Sequence, residues 1–202
     1  MSTLARIRSA HRIHIIGSPG AGKSTLAQRL STELGLPVFH LDLIAYEGPE
    51  FTERPLAFRS ARVTEITSLT GWITEGIFIG WTQPLLDEAE LIIWLDYLRW
   101  RRAAARITLR TFRTALREVT LRRGTQRFFR FRDYRRNFRQ LLLVLSSSRE
   151  YWDGGSPNAS SYPATREELD LVLREYAGKV IHITERRDAQ MLAELLKPRI
   201  SG

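Results

Sequence analysis

The sequence predicts an α/β fold in three layers, with helices on both faces of a five-stranded parallel sheet and a helical, arginine-rich insert. Three observations carry the prediction. Short apolar runs rich in Ile and Val alternate with stretches of helical period. A glycine-rich loop joins the first run to the first helix. The 202 residues suffice for one large core and would be cramped as two independent domains.

Strands are expected at Arg12–Gly17, Val38–Leu41, Trp72–Glu75, Leu91–Asp96 and Lys179–Ile183. The first helix should begin inside the glycine loop, bury Leu26, Leu30 and Leu34 at steps of four, and stop at Gly35 with Pro37 just beyond. A second helix, from about Pro55 to Ser68, carries Arg59 and Arg62, with Arg54 just before it, beside the Gly48-Pro49 turn. After the fourth strand Arg99, Arg102, Arg106, Arg110, Arg113 and Arg117 recur at steps of three or four, so one helix face is almost continuously cationic. Gly124 interrupts that pattern. Leu141–Leu145 returns to core-like composition, fit either to complete the core or to form a dimer seam. Tyr151–Tyr162 reads as a loop rich in Gly, Ser, Asn and Pro, and a helix from about Thr165 to Tyr176 leads to the last strand.

Charge is the unusual feature of the composition. The net charge is +9, yet Arg99 to Arg139 alone holds fifteen arginines against Glu118 and Asp133, a net of +13, which leaves the rest of the chain at −4. The basicity therefore belongs to one segment and calls for a local partner: phosphate, nucleic acid or an acidic surface. No apolar run is long enough to span a bilayer, and Met1 to Arg12 lacks the apolar centre of a signal peptide, so a cytoplasmic protein with no membrane partner is expected. Absence of cysteine excludes disulfides and thiolate chemistry. His14, His40 and His182 all fall in expected strands without the acidic company of a metal site and read as core or strand-end residues.

Gly17-Ser18-Pro19-Gly20-Ala21-Gly22-Lys23-Ser24 fits G-x-x-x-x-G-K-[ST]. Small residues let consecutive N–H groups curl inward around phosphate oxygens, and the following helix aims its positive end at the same point. Lys23 would neutralise the β- and γ-phosphates, the Ser24 hydroxyl would take one position on Mg2+, and Thr25 continues the loop into the helix. The chemistry is that of a nucleoside triphosphate with Mg2+.

The chain resembles the adenylate-kinase-like group of P-loop kinases, and more closely bacterial topology modulation proteins. The resemblance covers most of the chain. It rests on the glycine loop, Leu41-Asp42 with Tyr46 four residues on, Trp72-Ile73-Thr74-Glu75-Gly76, Leu91–Asp96 followed by the arginine helix, and Thr184-Glu185-Arg186-Arg187-Asp188. It implies one P-loop kinase-like domain over residues 1–202 with 99–139 as a lid. It also implies Asp42 as proton acceptor or water-mediated metal holder, Arg106 and Arg110 as lid arginines over the transferring group, and Arg186 and Arg187 against the base. Glu75 stands where the group usually has Asp, and Ile77-Phe78 replaces a more polar pair. For the metal carboxylate both Glu75, favoured by the resemblance, and Asp96, at the end of a Walker-B-like strand, are candidates.

Two functions follow. One is transfer of the γ-phosphoryl group of Mg·ATP to a small-molecule acceptor, a nucleoside or nucleotide by analogy, held between Asp42 and the Arg59 region. Hydrolysis of ATP is the fallback activity. The other is a nucleic-acid-binding NTPase that uses the arginine segment with its aromatics Trp100, Phe112, Phe128, Phe129, Phe131, Tyr134 and Phe138. Adenine and guanine suit Arg186 and Arg187 equally.

Overall fold

The computed structural model describes residues 3–48, 51–121, 141–142, 145–146, 148–153 and 164–195. A short helix α1 (Thr3–Ser9) leads into β1 (Arg12–Gly17), the central strand. Helix α2 (Lys23–Leu34) crosses to β2 (Val38–His40). The five-residue helix α3 (Leu41–Ala45), a hairpin of β3 (Tyr46–Glu47) and β4 (Thr52–Glu53), and α4 (Leu56–Thr67) then lead to β5 (Trp72–Gly76). Helix α5 (Gln83–Glu88), β6 (Leu91–Leu95), the long α6 (Trp100–Leu121), α7 (Arg166–Arg174), β7 (Val180–Ile183) and α8 (Arg186–Leu195) complete the described elements.

The main sheet has the order β2-β5-β1-β6-β7, every pair parallel. Its strands are mostly apolar because both faces are covered. On one face Ile13, Ile15, Ile73, Leu91 and Ile93 pack under Ile7 of α1, Leu26 and Leu30 of α2 and Leu192 of α8. On the other, Ile16, Trp72, Ile92 and Trp94 meet Val63 and Ile66 of α4, Leu85 and Leu86 of α5, and Leu169 and Leu173 of α7. His14 interrupts β1 at no polar cost on one side: its Nδ1 lies 2.8 Å from Thr74 Oγ1, and burial pushes its pKa down to about 3.

Local chemistry sets several boundaries as expected. Gly35 ends α2 in the left-handed conformation, its N–H donating to Ser31 O. Thr165 and Glu168 form a reciprocal capping box that starts α7. Others differ. The chain leaves β2 one residue early, so Asp42 lies in the first turn of α3 rather than at a strand end. Lys179 belongs to a 3-10 turn, Ala177–Lys179, and β7 begins at Val180. β6 stops at Leu95, and the Asp96 N–H bonds across to Ile183 O. Tyr151 and Trp152 are helical and packed against the core instead of opening a loop, because their rings meet a sheet face the sequence does not show. Leu142 is half exposed. Gly124, the aromatics from Phe128 to Phe138, Val144 and most of the Tyr151–Tyr162 stretch lie outside the described residues.

The order of strands creates the crevice. The chain leaves β1 toward β2 on one side and leaves β6 toward β7 on the other, so a gap opens at the carboxyl ends of β1 and β6. The glycine loop occupies it.

Candidate active site

Gly17 turns the chain with φ 144°, and a Cβ there would lie 2.2 Å from Leu95 O on the neighbouring strand. No other residue fits. Ser18 N–H then bonds to Leu95 O at 3.2 Å, tying the start of the loop to β6, while the Ser18 hydroxyl is buried without a partner. Ala21 N–H closes the Pro19-Gly20 turn onto Ser18 O, and Ala21 O accepts from the Tyr97 hydroxyl. Gly22, at φ 98°, precedes α2 and no side chain caps that helix. The first-turn amides of α2, with the dipole behind them, are therefore left for an anion.

Lys23 curls over this opening. Its Nζ donates to the carbonyls of Gly17 at 3.0 Å and Ser18 at 3.2 Å. Desolvation lowers its pKa, an effect opposed by the charges of Glu75 and Asp42 and reinforced by Arg110. Asp42 shows the reverse: the surrounding protein raises its pKa, Lys23 opposes that, and Glu75 adds to it. The Asp42 residue is nonetheless open to solvent and Lys23 is half-buried. Both are thus closely surrounded by protein and still reached by water.

Beside them, Ser24 Oγ donates to Glu75 Oε1 at 3.0 Å, and His40 Nδ1 lies 2.7 Å from the same oxygen. The Glu75 side chain is only 6% exposed. These are hard oxygen donors of the kind Mg2+ takes in ones and twos alongside phosphates. With the uncapped helix end and the lysine they fit a metal–triphosphate. Among the described residues no three His, Asp or Glu side chains converge as a metal cage.

Asp96, the other candidate carboxylate, has different company. Arg166 donates to both of its oxygens, the Tyr151 hydroxyl bonds at 3.2 Å, and His182 Nε2 lies at 3.3 Å while its ring stacks on Trp94. The side chain is 2% exposed. This group joins β6 and β7 to the returning segment 148–153 and to the start of α7. It is fully partnered without a metal.

On the α2 side of the loop a cavity of about 210 Å3 is lined by Gly22, Thr25, Leu95, Tyr97, Arg106 and Arg186, among others. Arg106 reaches it from α6, its guanidinium donating to Gly20 O at 3.2 Å and lying over the Tyr97 ring. Arg187 points elsewhere, toward Glu185 at 2.8 Å and Asp188 at 3.6 Å, with its side chain 77% exposed. Tyr46, Phe78 and Trp81 form an aromatic cluster, with Phe78 and Trp81 buried in the core. Arg59 is buried against it, 5.7 Å over the Trp81 ring, with Glu53 at 3.4 Å and its own Nε unpartnered.

No family model and no curated protein matches the chain. Solved structures do. A shikimate kinase from Acinetobacter baumannii in complex with shikimate is 17% identical, covering 87% of this chain and 98% of its own, with a TM-score of 0.40. A gluconokinase from Sinorhizobium meliloti 1021 is 12% identical over 91% of this chain and 88% of its own, TM-score 0.45. A shikimate kinase from Bacteroides thetaiotaomicron is 13% identical over 93% and 95%, TM-score 0.42. None of these matches carries the resemblance to topology modulation proteins.

Of the residues nominated from sequence, the fold gathers Lys23, Ser24, Asp42 and Glu75 at one point, with Arg106 on the loop and Arg110 close enough to act on Lys23 and Asp42 electrically. Arg186 joins the adjoining cavity and Arg187 does not. His40 and His182, read as lacking acidic company, each sit on a carboxylate, because parallel pairing brings Glu75 opposite His40 and places Asp96 beyond the end of β7. Tyr97 and His40 are the site-facing residues that sequence reasoning missed. Their only advance signal is position, just past or at the carboxyl end of a strand.

Proposed function

We propose that the chain is an ATP-dependent phosphotransferase, one kinase-like domain over residues 1–202. Mg·ATP binds at the Gly17–Thr25 loop and the γ-phosphoryl group passes to a hydroxyl of a small acceptor beside Asp42. The observation that carries this reading is the 3.0 Å contact between Ser24 and Glu75 next to an uncapped helix end and Lys23. A phosphate cradle, a hydroxyl and a carboxylate stand together, which is what triphosphate chemistry requires.

Lys23 releases its hold on Gly17 O and Ser18 O to meet phosphate oxygens, which accept from it more strongly than neutral carbonyls do. Ser24 and Glu75 would hold Mg2+, which would supply positive charge to offset that of the triphosphate. Asp42 takes the proton of the acceptor hydroxyl. Its raised pKa makes it a stronger base than an ordinary carboxylate. As the acceptor oxygen bonds to the γ-phosphorus, the bond from phosphorus to the β–γ bridging oxygen breaks and ADP leaves. Arg106 and Arg110 on α6 supply positive charge to the equatorial oxygens, and residues 99–139 act as the lid that keeps water out. Tyr97 and Arg186 line the side on which the base fits. The acceptor lies between Asp42 and Arg59, against Tyr46 and Phe78.

Against the nucleic-acid reading, Arg106 donates to Gly20 O of the loop and Arg110 acts electrically on Lys23 and Asp42. The test is ADP production from Mg·ATP across a panel of nucleosides, nucleotides and sugar or cyclitol acids. Release of ADP that depends on one acceptor class, with phosphate appearing on that acceptor, supports transfer. ATP split only to water, and faster with DNA present, would replace the kinase by an NTPase.

A further inference from the structure

We infer that His40 is a positioning residue for the metal site: it fixes the Glu75 carboxylate against Ser24 and thereby sets the affinity for Mg2+. The inference rests on the reading of Ser24 and Glu75 as the metal-holding pair and adds to it a residue that no motif nominates.

The geometry is specific. Glu75 Oε1 receives two donors at once, Ser24 Oγ at 3.0 Å and His40 Nδ1 at 2.7 Å. A carboxylate only accepts, so both contacts place a proton on the donor: the hydroxyl hydrogen on Ser24 and a hydrogen on Nδ1 of His40. With its proton committed to Glu75, Ser24 keeps its lone pairs for a cation. The arrangement works only while Glu75 stays put.

Glu75 needs such help more than the shorter acid would. Its extra methylene adds a torsion, and Glu75 springs from β5 while Ser24 springs from α2, so no single element dictates their distance. His40 closes the gap from a third element. It ends β2 directly opposite Glu75 in the parallel register, where the backbone itself aims the ring at the carboxylate. Three elements thus converge on one oxygen. Partners of this kind around a metal ligand commonly set affinity by fixing orientation.

A structural role would look different. The His40 side chain is 36% exposed and completes no apolar cluster. What it offers the fold is chiefly the bond to Glu75.

The experiment reads metal binding directly. The affinity for the non-hydrolysable β,γ-imido analogue of ATP is measured in EDTA, and Mg2+ is then titrated at fixed analogue, with Mn2+ binding followed independently by its paramagnetic resonance signal. His40→Leu should leave the affinity in EDTA unchanged and weaken Mg2+ and Mn2+ binding roughly 10- to 100-fold. His40→Asn, whose amide nitrogen takes the place of Nδ1, should restore most of the loss. If His40→Leu does not fold, His40→Gln stands in for it, because its amide reaches the place of Nε2 instead, and the same weakening is expected.

Unchanged Mg2+ dependence in the variant overturns the inference and leaves the kinase reading standing. So does an equal loss in EDTA and Mg2+, or failure of His40→Asn to rescue. A parent protein whose analogue affinity ignores Mg2+ overturns both together.

Discussion

Two acids stand at the carboxyl ends of β5 and β6, on either side of β1, and their surroundings differ. Glu75, on β5, meets a hydroxyl and an imidazole, beside a helix whose N-cap, Gly22, brings no side chain to cap it. Asp96, just past β6, is neutralised by Arg166 and further bonded by Tyr151 and His182. A carboxylate already paired with a fixed guanidinium gains little from a cation. Glu75 is held instead by a hydroxyl and an imidazole at the phosphate loop, with the Lys23 ammonium acting on it from nearby. The two strand ends are alike in sequence, each an apolar run closing on an acid, so the difference lies in what the fold brings from afar.

The sharpest way to break this contrast is to remove an acid from each region. On the cleft side Asp42→Asn should lower turnover roughly 10²- to 10⁴-fold, the usual range for a general base, with nucleotide affinity retained. On the other side Asp96→Asn should leave the Mg2+ dependence of nucleotide binding unchanged and cost about 1–3 kcal/mol in stability, measured by chemical denaturation, because the partners of a buried carboxylate lose it. An Asp96 variant that folds normally but loses metal dependence would exchange the two roles.

Much of this was legible in advance, for local reasons. The glycine loop announces itself because each small residue answers a backbone need at its own position, Gly17 against Leu95 being the clearest. Parallel strands show as apolar runs because they are buried on both sides. The different surroundings of Glu75 and Asp96 were not legible, since they depend on Ser24, His40 and Arg166, which lie 51, 35 and 70 residues away along the chain from their partners. The slip at Asp42 has a similar cause. Leu41 and Ile44 are drawn under the sheet, so a short helix forms where the apolar pattern alone suggested one more residue of strand. Arg186 and Arg187 could be told apart only once α8 had a direction.

The cleft should also carry its own pH signature, which sharpens the contrast further. Asp42 is raised, so as pH falls it takes up a proton earlier than an ordinary carboxylate and the acid limb of kcat/KM moves upward. Lys23 is lowered, so as pH rises it loses its charge earlier than an ordinary lysine and the alkaline limb moves downward. The bell narrows from both sides. A profile with its acid limb in the ordinary carboxylate range would separate Asp42 from the chemistry.

A smaller effect separates the neighbouring arginines. Arg186→Ala should weaken nucleotide binding by about 1 kcal/mol, roughly fivefold, through the lost stacking cation. Arg187→Ala should change nothing measurable, since its ion pairs with Glu185 and Asp188 are solvent-exposed. Equal losses in both would place the base elsewhere than beside Tyr97.

Calorimetric titration of Lys23→Ala with the Mg2+ complex of β,γ-imido-ATP tests directly whether the triphosphate lies in the loop from Gly17 to Thr25. A loss of about 3 kcal/mol, roughly a hundredfold in Kd, is expected as a charge-assisted contact to phosphate disappears. A variant that binds as tightly as the parent would contradict it.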